Sequence, residues 1–452
     1  MVNFYIKGMS TTNEEQERII NSFKEQGIDV IPVIDDYANY SIKTIEKSIE
    51  KFIENNNPKS AVIVGGGYIG VEMAENLSEY TMEVSIVEKA PHLISIIDND
   101  MAHFIHKEIK KHGVKVYVNE GVNKIEEHEK LLLTLDNGKI ETDLVILCIG
   151  VRPETNLAEE SGINTNEKGA IIVNNKMQTS DKDIYALGDA VEVKNTITGE
   201  RNGIALAGPA NRQARIVANN IHGIESSYEG FIGSSILKIF NYSLGIVGLS
   251  EIVCKNLDIP YKSMIISPYS HATYYPGAKM LTIKAIYNSK TSQILGAYVW
   301  GKSSVDKITD ILSVAIQNKM GAADISALEL CYAPPYSSAK SPVNILGNAI
   351  ENEMNELVDT IAVEELKNKE NLYILDVRTI EEYNISHIEG AINIPLDELR
   401  ENIEKLDKSK EIIVHCHSGL RSYLACRILK QKGYNVKNLI GGYIMYDIMK
   451  NK

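Results

Sequence analysis

The chain has 452 residues, 44% hydrophobic and 24% charged, a balance that suits about three soluble globular domains. Its 47 basic and 60 acidic residues leave a net charge of −13, which disfavours nucleic acid or an anionic membrane as partner. No run reaches the ~18 apolar residues of a membrane span, and the N-terminus lacks a basic-then-apolar signal. Five cysteines without CxxC spacing argue against a disulfide scaffold or a metal site, so the cytoplasm is the expected compartment.

Apolar spacing predicts strand Val2–Ile6, helix Thr12–Gln26 capped by Ser10 or Thr11, strand Ile28–Ile34 and helix Ile42–Asn55. These form a divergent βαβα segment over 1–57. Residues 58–150 then read as strand Ala61–Val64, helix Tyr68–Tyr80, strand Glu83–Glu88 and helix Asp98–His112. Further strands follow, with a hairpin signal at Asn137-Gly138, ending in the buried strand Leu144–Ile149 and Gly150. Segment 151–229 closes with helix Pro209–His222. Strands Ser235–Phe240, Leu244–Leu249, Lys279–Tyr287 and Gln293–Trp300 surround helix Ser304–Asn318 over 230–350. The polar stretch Glu351–Glu356 reads as a linker, and 358–452 alternates short strands and helices.

The first chemistry lies at Gly65-x-Gly67-x-x-Gly70, which follows a strand, opens a helix, and has an acid, Glu88, 21 residues after Gly67. Gly65 permits the tight turn, Gly67 the approach of a pyrophosphate, and Gly70 close helix–strand packing. Amides at the helix start face the phosphates. Glu88 would bind both ribose hydroxyls, which leans towards NADH; Lys89 beside it keeps NADPH open.

From Gly65-Gly-Gly-Tyr-Ile-Gly-Val-Glu-Met-Ala-Glu-Asn-Leu77 onward the chain resembles the coenzyme A disulfide reductases, FAD- and NAD(P)H-dependent pyridine nucleotide–disulfide oxidoreductases. The likeness runs through Leu147-Cys-Ile-Gly-Val-Arg-Pro-Glu-Thr155, Met177-Gln-Thr-Ser-Asp-Lys-Asp-Ile-Tyr-Ala-Leu-Gly-Asp189 and Leu206-Ala-Gly-Pro-Ala-Asn211. It continues at Ser270-His-Ala-Thr-Tyr-Tyr-Pro-Gly277 and Tyr332-Ala-Pro-Pro-Tyr-Ser-Ser-Ala-Lys340, covering roughly 42–350. The resemblance implies Rossmann-like FAD/NAD(P)-binding domains, with 58–150 for NAD(P)H and 151–229 a remnant FAD-binding segment. It also implies an α+β dimerisation domain over 230–350. It would place Glu72 beside the nicotinamide, add Gly150 to the cofactor-binding residues, and set Asp189 on the flavin ribityl chain. Tyr274 and Tyr332 would reach the partner subunit's active site in a homodimer that acts on a CoA-like thiol, disulfide or persulfide. The family's FAD fingerprint and redox cysteine have no counterpart here: residues 1–57 hold only Gly8 and Gly27, and no cysteine. Cys148, the first cysteine, reads as a small buried thiol, and His271 as structural.

The C-terminal α/β segment resembles a rhodanese domain through Leu375-Asp-Val-Arg378, Glu382-Tyr383, His387-Ile-Glu-Gly-Ala-Ile-Asn-Ile-Pro395 and Cys416-His-Ser-Gly-Leu-Arg421-Ser422. A strand delivers Cys416 into a six-residue loop that opens a helix. Its amides and Arg421 should depress the thiol pKa and stabilise a persulfide. Cys426 reads as core, and Asp376 with Arg378 as a structural ion pair. The expected function is thus a flavin- and NAD(P)H-dependent CoA-disulfide or persulfide reductase joined to a sulfurtransferase, with Cys416 and Arg421 catalytic. Two alternatives stay open: a sulfurtransferase on a reductase-derived scaffold without flavin chemistry, and a non-catalytic subunit whose flavin site a partner completes.

Overall fold

Short β-branched runs form the centre of the first layer because parallel strands covered on both faces must be apolar throughout. The computed structural model describes residues 3–6, 30–33, 42–366 and 372–450. These fall into two compact units, Met1–Gly233 and Ser234–Lys452. The first unit opens with β1 (Asn3–Ile6), β2 (Val30–Val33) and α1 (Ile42–Asn56). There follow β3 (Ser60–Val64), α2 (Tyr68–Ser78), β4 (Glu83–Glu88), α3 (Asn99–Lys111) and β5 (Lys115–Val118). A three-stranded antiparallel meander, β6 (Val122–Glu127), β7 (Leu131–Leu135) and β8 (Gly138–Thr142), precedes β9 (Leu144–Leu147). The main sheet runs β2-β1-β9-β3-β4-β5, every pair parallel.

The predicted helix Thr12–Gln26 lies outside the described residues. α1 buries Ile49, Phe52 and Ile53, the i, i+3, i+4 face that its spacing foretold. The expected hairpin is present, but its two-residue loop is Asp136-Asn137, one position earlier than expected, because Leu135 pairs with Gly138. β9 stops at Leu147, two residues short of the expected Ile149. A small sheet of β10 (Ile171–Ile172), β11 (Val191–Lys194) and β12 (Arg201–Gly203), with α4 (Ala207–Ile221), completes this unit.

The second unit begins with a five-stranded antiparallel sheet ordered β13-β14-β17-β16-β15. Its strands are β13 (Ser234–Ile239), β14 (Tyr242–Gly248), β15 (Tyr261–Ile266), β16 (Leu281–Asn288) and β17 (Ile294–Gly301). The expected strand set lacked β15. α5 (Val305–Gln317) lies against this sheet, followed by α6 (Pro342–Met354).

α6 corrects the linker expected at Glu351–Glu356, since the helix runs through Met354 and buries Glu353. That carboxylate accepts hydrogen bonds from the Tyr287 hydroxyl, from Lys262 Nζ at 3.0 Å and from Thr360 Oγ1 at 2.9 Å. A polar side chain with three donors can be buried, which is why a polar run here is not a free linker. The last sheet, β18-β22-β21-β19-β20, is wholly parallel. It comprises β18 (Asp359–Ile361), β19 (Tyr373–Asp376), β20 (Ile392–Asn393), β21 (Glu411–His415) and β22 (Asn435–Leu439). Helices α7 (Ile380–Ile385), α8 (Leu420–Gln431) and α9 (Gly442–Lys450) accompany it. Among the described residues no helix is long and apolar enough to cross a membrane.

Candidate functional site

The turn between β3 and α2 is built to let something approach its backbone. Gly65 adopts φ 106°, and a Cβ there would stand 2.2 Å from the Cys148 carbonyl oxygen, so no side chain fits. A Cβ at Gly70 would meet the Gly65 carbonyl oxygen at 1.9 Å, which sets how closely α2 packs on the turn. At Gly67, the N-cap of α2, nothing lies within 4 Å of such a Cβ. The backbone at Gly67 is therefore open to approach from outside. Glu88 closes the far side: its Oε2 accepts from Gly66 N at 2.5 Å and its Oε1 from Ala90 N at 2.6 Å. This arrangement fits a dinucleotide.

Glu72 lies on α2 one turn beyond the glycines; burial of its carboxyl, and then the Glu75 charge, raise its pKa. Gly150, at φ 115°, follows β9. Cys148 is partly exposed as a residue, and burial pushes its thiol up to about 12, the behaviour of an unreactive cysteine. Asp189 sits in the short turn Gly188–Ala190, whose Gly188 N–H donates to the buried Gln213 of α4 at 2.7 Å. The first amides of α4 carry no side-chain cap. The turn that carries Asp189 is tied to α4 near Ala210 and Gln213.

Tyr274 and Tyr332, 58 residues apart in sequence, share a 2.8 Å hydroxyl–hydroxyl hydrogen bond at an exposed position. That bond raises the Tyr332 pKa.

Cys416 emerges from β21 and is almost wholly buried. Its Sγ accepts from Gly419 N at 3.1 Å and lies 3.4 Å from the Ser422 hydroxyl. α9 sets the loop from behind: Tyr443 N donates to the Cys416 carbonyl at 2.8 Å, and Ile444 N to that of His417 at 3.1 Å. With its carbonyls drawn backwards, the loop turns the Gly419 amide towards the sulfur. Gly442, at φ 58°, permits this approach, because its Cβ would lie 2.7 Å from the Cys416 oxygen and 2.9 Å from that of His417.

Arg421 interacts with Cys416, as expected, and has a second partner besides. Both its terminal nitrogens donate to Glu382, at 2.6 and 2.7 Å. This pairing raises the guanidinium pKa and draws the Glu382 carboxyl down to about 2. Glu382 is itself held by a capping box with Thr379 at the start of α7. Beneath the loop, Arg378 and Asp376 form the expected buried ion pair at 2.7 Å, with the Tyr443 ring over the guanidinium. His415 is buried beside Asp376, and desolvation lowers its pKa to about 4, leaving it neutral. Cys426 is buried in the core, with its thiol pushed well above the ordinary range by desolvation.

Sequence reasoning missed Glu382 as the partner of Arg421 and Gly442 as the loop's support. Thr379-x-x-Glu382 was a legible capping signal, and Gly441-Gly442 a legible helix start.

Three family profiles match the chain. "Pyridine nucleotide-disulphide oxidoreductase" covers 22–214, its "dimerisation domain" 234–342 and "Rhodanese-like domain" 360–446. An NADH oxidase of Methanocaldococcus jannaschii is 36% identical over 68% of this chain and 69% of its own. A coenzyme A disulfide reductase of Staphylococcus epidermidis is 32% identical over 68% and 70%. Two solved structures each cover 90% of this chain and 74% of theirs. Reduced Bacillus anthracis CoADR-RHD has 42% identity and TM-score 0.86; an NAD-dependent persulfide reductase from A. fulgidus has 36% and 0.85.

Proposed function

Starting from its membership of the pyridine nucleotide–disulphide oxidoreductases, with their dimerisation domain and a C-terminal rhodanese domain, we propose that this chain is an NAD(P)H- and FAD-dependent reductase of CoA-type disulfides or persulfides that carries sulfur on Cys416. Gly65, Gly67 and Gly70 hold the pyrophosphate on the amides of α2, and Glu88 takes the ribose hydroxyls, which favours NADH. Gly150 and Glu72 border the nicotinamide, and Asp189 holds the ribityl hydroxyls of FAD. Bound flavin supplies the electron relay between the nicotinamide and the sulfur substrate. Tyr274 and Tyr332 act as a pair facing a CoA-like thiol in the partner subunit of a homodimer. The cysteine usage suits the cytoplasm.

The observation that carries the sulfur chemistry is the seat of Cys416 Sγ, under the Gly419 amide and beside Ser422. The Cys416 thiolate attacks the outer sulfur of a sulfane donor. A new S–S bond forms, the old one breaks, and the donor leaves as its thiolate or sulfite. The inward amides stabilise the resulting persulfide anion until a nucleophile removes its outer sulfur.

The visible spectrum of the purified protein tests the reductase. Bound flavin bleached by NADH is expected, and a colourless protein would overturn that part. Cys416→Ser should abolish transfer of sulfur to cyanide; undiminished transfer would remove the assignment of Cys416.

A further inference from the structure

The Cys416 loop has a backing that comes from outside its own domain. Gly441 and Gly442 make the turn that opens α9, at φ 69° and 58°. On its inner side this turn lies against the loop. A Cβ on Gly419 would stand 3.7 Å from Gly441 N, and one on Gly442 3.0 Å from Gly419 N. Gly419 is the residue whose amide reaches Cys416 Sγ at 3.1 Å. On its outer side, a Cβ on Gly441 would stand 3.1 Å from Cγ2 of Ile265. Ile265 is buried and belongs to β15, an edge strand of the five-stranded antiparallel sheet in the matched dimerisation domain. That strand is fixed in turn. Lys262 Nζ of β15 and Thr360 Oγ1 of β18 both donate to Glu353, at 3.0 and 2.9 Å.

We propose that Ile265 is a positioning residue for sulfur transfer: its Cγ2 methyl holds Gly441 inward, and Gly441 holds the Gly419 amide on the sulfur of Cys416. A turn of two glycines has no side chains of its own to lock it, so its place is set by what packs against it. In a close-packed interior the loss of one methyl is felt by its neighbours. Removing Cγ2 lets the turn relax outward, and the donor aimed at the sulfur moves with it. The sulfurtransferase loop is thereby completed by the dimerisation domain. The proposal rests on Cys416 being the sulfur carrier.

The test uses the full chain, reduced and then loaded from inorganic polysulfide, with Cys416 persulfide followed by peptide mass after alkylation. Two substitutions separate position from packing volume. Ile265→Leu keeps the volume but loses the branch at Cβ, and with it the Cγ2 contact; Ile265→Val keeps Cγ2 and loses a methyl elsewhere. Ile265→Leu should load about tenfold more slowly than the native protein, because a displaced group costs rate even where the fold is kept. Ile265→Val should load at the native rate. Amide exchange over 440–446, where Tyr443 and Ile444 hold the loop carbonyls, should quicken with Ile265→Leu alone. Native loading by a folded Ile265→Leu protein would overturn the proposal. So would loading by Ile265→Val about tenfold below native, whether or not Ile265→Leu folds, since lost volume and not lost contact would then set the rate. No loading of the native protein would instead remove the carrier assignment of Cys416, and the proposal with it.

Discussion

The turn at Gly65 and the loop at Cys416 are both strand–turn–helix junctions that we propose as anion sites, and they differ in what holds them. The nucleotide turn relies on missing side chains: Gly65 and Gly70 let backbone meet backbone, and the space beyond Gly67 is empty. The Cys416 loop relies on a second helix, α9, whose amides hold its carbonyls at 2.8 and 3.1 Å. The contrast follows from the anion. A diffusible dinucleotide needs room and exposed donors, whereas a sulfur that remains covalently attached needs a closed cup of fixed shape. Each acid also differs in its partner. Glu88 is held by two amides, so it can face a neutral ribose, whereas Glu382 is held by a guanidinium and occupies it.

Breaking the nucleotide side should have the largest effect. Gly65→Ala places a Cβ against the Cys148 carbonyl at a φ that L-residues avoid, and NADH binding should be lost by calorimetry while Cys416 still loads with sulfur. Gly442→Ala is the mirror experiment. It should slow persulfide formation about a hundredfold, the kinetic equivalent of roughly 3 kcal/mol of displaced loop, and leave NADH affinity as it was.

Acid should strike both units alike. His106, which accepts from Leu93 N, and His415 are each held neutral, with pKa values lowered by desolvation to about 4. The unfolded chain therefore binds these protons first. Stability should be complete above pH ~6.5 and decline towards pH ~4, by up to about 3 kcal/mol for each histidine. Denaturant unfolding at neutral and acid pH checks this, and His415→Gln should flatten the decline of the second unit alone. The smallest effect is one of preference: Glu88→Gln should narrow the discrimination between NADH and NADPH by about tenfold in kcat/KM, one lost charge repulsion.

Much of each site was legible because each is written in one short stretch. Gly65, Gly67, Gly70 and Glu88 lie within a single βαβ unit, and Cys416 to Ser422 within one strand–loop–helix. The misreadings came where distant chain intervenes. Glu351–Glu356 looked like a linker because its charges were visible and the three donors around Glu353 were not. The acid that pairs with Arg421 went unnoticed because it stands 39 residues away. β15 escaped notice because its Tyr261–Ile266 run becomes a strand by pairing with β16.

The sequence alone determined where the glycine turn would open a helix and which thiol would stand at a helix start, since hydrogen-bonded turns and glycine conformations are local matters. It determined as well that residues 1–57 contribute neither a glycine fingerprint nor a cysteine. Only the tertiary structure decided which side chains pair. Pairing Glu382 with Arg421, Tyr274 with Tyr332, and α9 with the Cys416 loop depends on sheet order and helix packing, and no local pattern specifies these.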